Sequence, residues 1–142
     1  MLIVFAVNIV VIATVVIIHY EFMYRFTLLM PHLKVRHRFR IVFGVFGALT
    51  AHALEVWIFA LSFYWMHHAS SGWGFFEGNF EGALFDCVYF SFTTYTTLGF
   101  GDIAPHGAVR YLAGLESLTG LVLITWTASF LYLEMTRYWD RD

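Results

Sequence analysis

Three long apolar stretches dominate the chain, and each is long enough to cross a lipid bilayer as a helix. They cover residues 1–18, 41–66 and 108–138, and the first carries no charged side chain. A helix rises about 1.5 Å per residue, so roughly 20 residues cross a hydrocarbon core of about 30 Å. Only 13% of the 142 residues are charged and 60% are hydrophobic, which leaves too little polar surface for a soluble globule. The sequence therefore predicts an all-α membrane protein with three transmembrane helices.

The first stretch has the features of a retained helix rather than of a cleaved secretion signal. It has neither a basic start nor the small-residue cleavage site that a signal peptide needs. We therefore expect an N-terminal transmembrane helix over residues 1–30.

The positions of the basic residues predict which way the helices cross. Seven of the eight Lys and Arg residues lie between the first two stretches, at the end of the third or after it, namely Arg25, Lys34, Arg36, Arg38, Arg40, Arg137 and Arg141. Because cytoplasmic loops are enriched in Lys and Arg, we expect an outside N-terminus, a cytoplasmic C-terminus and a location in the inner membrane of a bacterial cell. The basic loop over 31–40 then faces the cytoplasm. Its cations can contact anionic lipid headgroups: Lys34, Arg36, Arg38 and Arg40.

A helix too short to span is predicted between the second and third stretches. The Ser- and Gly-rich residues 69–79 are typical of a surface loop, which we extend over 67–81. The apolar run at 82–94 is about half a spanning length, with Asn79 as its expected N-cap and Glu81 in its first turn. Such a helix enters the membrane and must return to the same side.

The segment TTYTTLGFGDIAP follows this short helix at residues 93–105. Backbone without helical hydrogen bonds is tolerated at membrane depth only where it is buried in protein or lines a water-filled path. Gly99 and Gly101 allow backbone conformations that other residues avoid, so successive carbonyls can point the same way. A ring of such carbonyls replaces the hydration shell of a cation. The negative end of the short helix dipole favours a cation nearby.

The stretch SFTTYTTLGFGDIAP, residues 91–105, resembles the pore signature of the potassium channels. Their filter reads Thr-Val-Gly-Tyr-Gly-Asp after a further threonine. The resemblance covers residues 80–137 and extends more loosely to an outer helix at 41–66. The chain is most similar to small bacterial channels of the two-transmembrane type, here with an extra N-terminal helix. A match of this length is far more specific than a lone Gly-x-Gly.

The resemblance implies a selectivity filter at 96–102 that binds potassium ions. Its ion ligands would be the backbone carbonyls of Thr97, Leu98, Gly99 and Phe100. The Thr97 hydroxyl would lie at the inner end. Gly101 would close the outer end of the filter. Thr96 and Asp102 would support the filter without contacting the ions.

Two positions differ from the commonest filter. Leu98 replaces valine, which keeps an apolar side chain directed away from the pore. Phe100 replaces tyrosine and therefore lacks the phenol that hydrogen-bonds to surrounding aromatic side chains. Tyr89 and Phe90 on the short helix are the expected aromatic support.

One filter segment cannot close a ring, so the resemblance also implies a homotetramer around a single four-fold pore. The N-terminal helix is then expected at the periphery, packed on the outer helix. The predicted parts are the N-terminal helix 1–30, the basic loop 31–40, and the pore domain 41–138, which contains the outer helix 41–66, the outer loop 67–81, the pore helix 82–94, the filter 96–102 and the inner helix 108–138.

The function that the resemblance implies is passive, selective conduction of potassium ions. No cofactor other than the ions in the filter, no nucleic-acid partner and no catalytic residue is expected. Two alternatives stay open. A weakly selective monovalent cation channel follows if the missing phenol at Phe100 loosens the filter. The second alternative is a non-conducting subunit that assembles with other channel chains.

Two glycines of the inner helix have two interpretations that the sequence does not separate. Gly114 and Gly120 could each bend the helix as a hinge. Small residues also allow close helix packing in membranes.

Ionisable residues inside the predicted helices form a second candidate site. His52 and Glu55 are three residues apart and share a helix face, and counting residues places Glu116 at a similar depth. Charges at such depth face a partner or a cavity. One hypothesis is a cluster of the three that couples outer and inner helices and senses pH. The alternative is a neutral, hydrogen-bonded structural cluster.

The remaining histidines suggest metal binding only weakly. His19 and His52 as haem ligands are disfavoured, because counting residues places them at different depths, with His19 at the membrane interface. His67 and His68 are adjacent in the outer loop, where solvated side chains are expected rather than a metal site.

Overall fold

A computed structural model describes residues 2–32, 37–69 and 72–139, without the side chains of residues 37, 38, 138 and 139. Within these residues, the elements in chain order are α1 (Leu2–Leu29), a 3-10 turn (Met30–His32), α2 (His37–His68), β1 (Gly74–Gly78), α3 (Leu84–Tyr95), β2 (Ile103–Gly107) and α4 (Ala108–Trp139). Three segments are long and apolar enough to cross a membrane: Leu2–His32, Phe39–His68 and Ala108–Arg137. The predicted class of a helical membrane protein with three transmembrane helices is confirmed.

Helix α2 lies at the centre of the fold and packs against α1, α3 and α4. Its inner face carries Phe59 and Phe63, which are fully buried. The Phe63 ring meets those of Phe76 and Phe90 edge-on, with ring centroids 5.8 and 5.2 Å apart. Aromatic pairs prefer this edge-to-face arrangement. The short helix α3 is thereby held against the middle of the fold.

The N-terminal helix α1 packs on α2 and also contacts α4. The Val15 side chain of α1 belongs to the hydrophobic core that also contains residues of α2, α3 and α4. Most other apolar side chains of α1, including Ile3 and Ile17, are exposed. An apolar exposed face is what a helix bordered by lipid presents.

The basic loop predicted over 31–40 is wrong at both ends. The 3-10 turn Met30–His32 extends the first helix, and α2 already begins at His37. Arginine is a good helix former, so the residues at 38–40 continue the transmembrane helix beyond its apolar part. Lys34 and Arg36 of the predicted lipid contact lie outside the described residues, as do Arg141 and the side chain of Arg38.

A two-stranded antiparallel sheet occupies part of the predicted outer loop 67–81. Strand β1 pairs with β2 in a register that places Gly74 opposite Gly107 and Gly78 opposite Ile103. A Cβ on Gly78 would lie 2.1 Å from the Asp102 carbonyl oxygen, so the pairing there requires glycine. The predicted loop 67–81 is therefore corrected at two places, since residues 67 and 68 end α2 and residues 74–78 form a strand. The strand was not predicted because its partner lies far along the sequence.

The start of α3 also differs from the prediction. The N-cap position is Ala83, and Asn79 lies outside the helix. The Asp86 carboxylate accepts hydrogen bonds from the backbone N–H groups of Glu81 at 2.9 Å and Ala83 at 3.1 Å. This acidic residue in the first turn satisfies the free N–H groups by reaching back, as in one half of a capping box.

Candidate functional site

The C-terminal end of α3 is joined to the segment that follows it by backbone hydrogen bonds. The N–H of Thr97 donates to the Thr94 carbonyl, and that of Gly99 donates to the Thr93 carbonyl, both at 3.0 Å. The last carbonyls of a helix have no partner within the helix. The segment therefore satisfies them as it turns away from the helix end.

The backbone of residues 97–101 alternates in handedness. The φ angles of Thr97, Gly99 and Gly101 are 60°, 52° and 79°, whereas Leu98 and Phe100 do not have positive φ. Successive residues of opposite handedness direct their N–H groups to one side of the chain. Alternation of this kind can align successive carbonyl oxygens, which is the arrangement that a cation site of carbonyl groups requires.

Thr97 carries the backbone strain of this segment. It is the one non-glycine residue with positive φ within the described range. For a β-branched residue this conformation costs on the order of 1–3 kcal/mol and is found mainly at functional sites. The sequence predicts the freedom of Gly99 and Gly101, but it carries no signal for Thr97, whose conformation comes from its place in the alternation.

The side chains of Leu98 and Phe100 point away from the core of their own chain. Their exposed fractions are 59% and 64%. A methyl group added at Gly99 or Gly101 would meet no atom of the described residues within 4 Å, so glycine is required there by φ and not by space.

Tyr89 connects α3 to the outer part of this segment. Its ring stacks on Phe100, with centroids 6.4 Å apart and an angle of 6° between the planes. Its hydroxyl donates to Asp102 Oδ2 at 2.9 Å. This hydrogen bond raises the pKa of Tyr89, so the hydroxyl remains a donor at neutral pH. Phe90, the other expected aromatic support, lies instead in the buried cluster with Phe63 and Phe76.

A buried polar cluster lies near the start of the alternating segment 97–101 and joins α1, α2 and α3. Glu55 is fully buried, and its two carboxylate oxygens lie 2.8 Å from His19 Nδ1 and 3.1 Å from His52 Nδ1. The Tyr95 hydroxyl donates to the same carboxylate and lies 2.9 Å from His52 Nδ1. Tyr95 is the last residue of α3, so this cluster reaches the beginning of the alternating segment.

The position predicted for His19 is wrong. Its side chain is fully buried, and its ring centroid is 5.5 Å from that of His52. The prediction placed the end of the first membrane crossing near residue 18, whereas the first apolar segment runs as one unit to His32. His19 therefore lies near the middle of α1, at the depth of His52.

Glu116 is buried in a different place from the one predicted. Its carboxylate accepts a hydrogen bond from the Ser91 hydroxyl, which also lies 2.9 Å from the Val56 carbonyl oxygen. Glu116 Oε2 has no hydrogen-bond partner among the described residues. The predicted group of three is thus divided: Glu55 contacts Tyr95, and Glu116 contacts Ser91 one turn earlier on α3. Ser91, Tyr95 and His19 have no signal in the sequence that marks them as partners of these carboxylates.

The two glycines of α4 lie in different surroundings. A methyl group on Gly120 would be 2.1 Å from the Tyr95 carbonyl oxygen, so α4 approaches the end of α3 directly at this residue. At Gly114 such a group would have open space, with no atom of the described chain within 4 Å. Close to Gly120, the Ser117 hydroxyl donates to the Thr94 carbonyl at 3.1 Å.

Comparison with known families gives one match. A family model described as "Ion channel" matches residues 40–137, which is more than half of the chain and extends from α2 through α4. The whole of α1 and the turn after it precede the match. No curated protein and no solved structure matches the chain.

Proposed function

The chain belongs to the ion channel family whose model covers residues 40–137, and on this premise we propose that it is a potassium channel. It conducts K+ passively through a filter formed by residues 97–101. The potassium ions are the only bound groups that this function requires. The channel catalyses no reaction.

The observation that carries this proposal is the alternating handedness from Thr97 to Gly101. A strand of this kind presents consecutive carbonyl oxygens to one axis. Four such strands form stacked rings of oxygen atoms that replace the water around a dehydrated cation. The sequence TTLGFGD at 96–102 places a threonine hydroxyl at the inner end of these rings.

A homotetramer completes the site. The exposed side chains of Leu98 and Phe100 are apolar, and they need cover in the assembled protein. Beside the filter, a groove of about 360 Å³ is lined by α3, the filter and α4, including Thr97, Arg110 and Ser117. We infer that neighbouring copies of this chain cover these surfaces, because closure of the ring requires four filter segments.

Selectivity for potassium over sodium is supported by the attachment of the filter to α3. Phe100 has no hydroxyl, but the Tyr89 ring stacks on it and the Tyr89 hydroxyl holds Asp102. The alternative is a weakly selective monovalent cation channel. This alternative holds if the contacts of Tyr89 with Phe100 and Asp102 do not stabilise the filter in place of the phenol that Phe100 lacks.

The proposed arrangement in the membrane follows from the basic residues. The N-terminus lies outside, and the C-terminus lies in the cytoplasm of a bacterial cell. The sheet of β1 and β2 then faces the outer solution, at the outer end of the filter. The basic residues near the start of α2 contact anionic lipid of the inner leaflet.

The test is the reversal potential of purified protein in planar bilayers, with potassium on one side and sodium on the other. We expect a value close to the potassium equilibrium potential. A value near zero with robust current favours the weakly selective channel. Correctly assembled protein that carries no current under any applied potential favours the non-conducting subunit.

A further inference from the structure

Three side chains of the type that bind transition metals meet in the membrane interior. His19 of α1 and His52 and Glu55 of α2 each offer one ligand atom, and these atoms all lie within 4.8 Å of one another. His19 and Glu55 have no exposed side-chain surface, and the side chain of His52 is 18% exposed. We propose that these three residues bind one divalent transition metal ion per chain, with Zn2+ as the ion that fits best.

The donor atoms favour zinc over the alkaline-earth ions. Two imidazole nitrogens with one carboxylate are a common ligand set for Zn2+, whereas Ca2+ and Mg2+ prefer oxygen ligands throughout. Ligand bonds of about 2.0–2.1 Å in a tetrahedron place neighbouring ligand atoms roughly 3.3 Å apart. The two imidazole-to-carboxylate distances here are 2.8 and 3.1 Å. These two distances run to different oxygens of the Glu55 carboxylate, and the three ligand atoms lie within 4.8 Å of one another, so the side chains must shift to reach tetrahedral spacing around an ion.

Two hydroxyl groups lie next to the proposed ligands. The Tyr95 hydroxyl, 2.9 Å from His52 Nδ1, stands where a fourth ligand or a hydrogen-bond donor to the carboxylate is needed. The Thr127 hydroxyl of α4 lies 3.4 Å from His19 Nε2, which leaves His19 Nδ1 directed at Glu55. Outer partners of this kind orient metal-binding imidazoles.

The electrostatics of the membrane interior favour a cation at this position. Glu55 is fully buried, and with both imidazoles neutral the three ligands carry one negative charge. Such a charge is costly in the bilayer unless a partner compensates it. A divalent ion supplies more than that compensation, because Zn2+ with one carboxylate and two neutral imidazoles carries a net single positive charge, and a hydroxide ion as the fourth ligand would neutralise it. A proton on one imidazole is the competing solution, and the metal-free hydrogen bonds described above are compatible with it.

The site gives α1 a role that the matched family region does not explain. His19 lies before the match, and both other ligands lie within it. A bound ion would link α1 to the pore domain. It would also link α1 to Tyr95, the residue that immediately precedes the filter region. Metal binding is independent of whether the pore conducts potassium, so the two proposals can fail separately.

The experiment measures metal content and affinity on the assembled protein in detergent. We expect about one zinc ion per chain by elemental analysis after purification with added Zn2+, and tetrahedral d–d absorption bands after replacement by Co2+. His19→Gln and His52→Gln should each weaken Zn2+ binding at least about a hundredfold. His68→Gln is the matched control, because that exposed histidine bonds the Tyr64 carbonyl of its own helix, and its affinity should be unchanged.

Two results would overturn the metal site. One is wild-type protein that binds no zinc and shows no tetrahedral cobalt spectrum, which leaves a proton in the role of the cation. The other is a His19→Gln variant that binds zinc as tightly as the wild type. The cobalt spectrum needs no variant, so it tests the site even if a substituted protein does not assemble.

Discussion

The Tyr95 carbonyl oxygen and Gly120 are in direct contact, because a Cβ on the glycine would lie 2.1 Å from that oxygen. The inner helix thus approaches the end of α3 at the residue where the filter segment begins to form. A side chain at 120 would force these two elements apart, since the obstructing atom is backbone and cannot rotate away.

Gly120→Ala should lower the stability of the assembled protein by about 1–3 kcal/mol, the usual cost of overpacking. Gly114→Ala is the control: its methyl group meets no described atom within 4 Å, and alanine favours the helix by up to about 1 kcal/mol. Thermal unfolding of the assembled protein in detergent distinguishes them. Equal stability of the two variants would contradict the packing role and favour a hinge at Gly120.

Gly99→Ala should abolish or strongly reduce potassium current. An L-residue at φ 52° is strained, and a change of handedness there would turn a carbonyl out of the ion path. Gly72→Ala is the matched control, because Gly72 has a φ of 64° and equally open surroundings, but lies in the outer loop. Single-channel current in bilayers provides the comparison. Similar loss of current in both variants would mean that strain in general, and not the filter carbonyls, is responsible.

Tyr89→Phe should reduce the discrimination between potassium and sodium while leaving current intact. The substitution keeps the ring that stacks on Phe100 and removes only the hydroxyl that bonds Asp102. Loss of this hydrogen bond would free Asp102, which follows the proposed filter directly, and we expect the permeability ratio to fall severalfold. Tyr111→Phe serves as the control, since Tyr111 is an exposed residue of α4. An unchanged permeability ratio in Tyr89→Phe would remove this tyrosine from the filter support.

Asn8→Leu should stabilise the protein. Asn8 is 1% exposed, and neither atom of its amide has a hydrogen-bond partner among the described residues. An unsatisfied buried polar group costs about 1–3 kcal/mol, and the leucine side chain has the same number of heavy atoms and the same branching. The midpoint of thermal unfolding should therefore rise. A fall would indicate that a neighbouring subunit or a water molecule satisfies this amide.

The sequence predicts those features that depend on local composition. The three apolar segments identify the transmembrane helices, and Gly99 and Gly101 mark the segment that cannot be helical. Each of these predictions rests on residues close together in the chain, where hydrophobic length or backbone freedom has a direct physical meaning.

The features that were missed depend on contacts between distant residues. The pairing of Phe75 with His106 has no signature in either strand alone. The neighbourhood of His19 and Glu55, 36 residues apart, follows from the length of α1, which continues through Tyr20 and Arg25 beyond its purely apolar part. The helix itself was predicted over residues 1–30, but a count of apolar residues confines the membrane crossing to 1–18 and so moves His19 to the wrong depth.

The two strands have a mechanical consequence for the filter. β1 ends at Gly78 and β2 begins at Ile103, and the Asn79 N–H donates to the Asp102 carbonyl at 2.9 Å. The pairing of β1 with β2 therefore closes a loop that contains the whole of α3 and the proposed filter. Such closure reduces the conformational freedom of the enclosed chain. A force applied to the chain near Gly78 or Ile103 is therefore shared by the strand pairing and by α3. The proposed filter can be extended only if the β1–β2 hydrogen bonds break or if α3 moves with it.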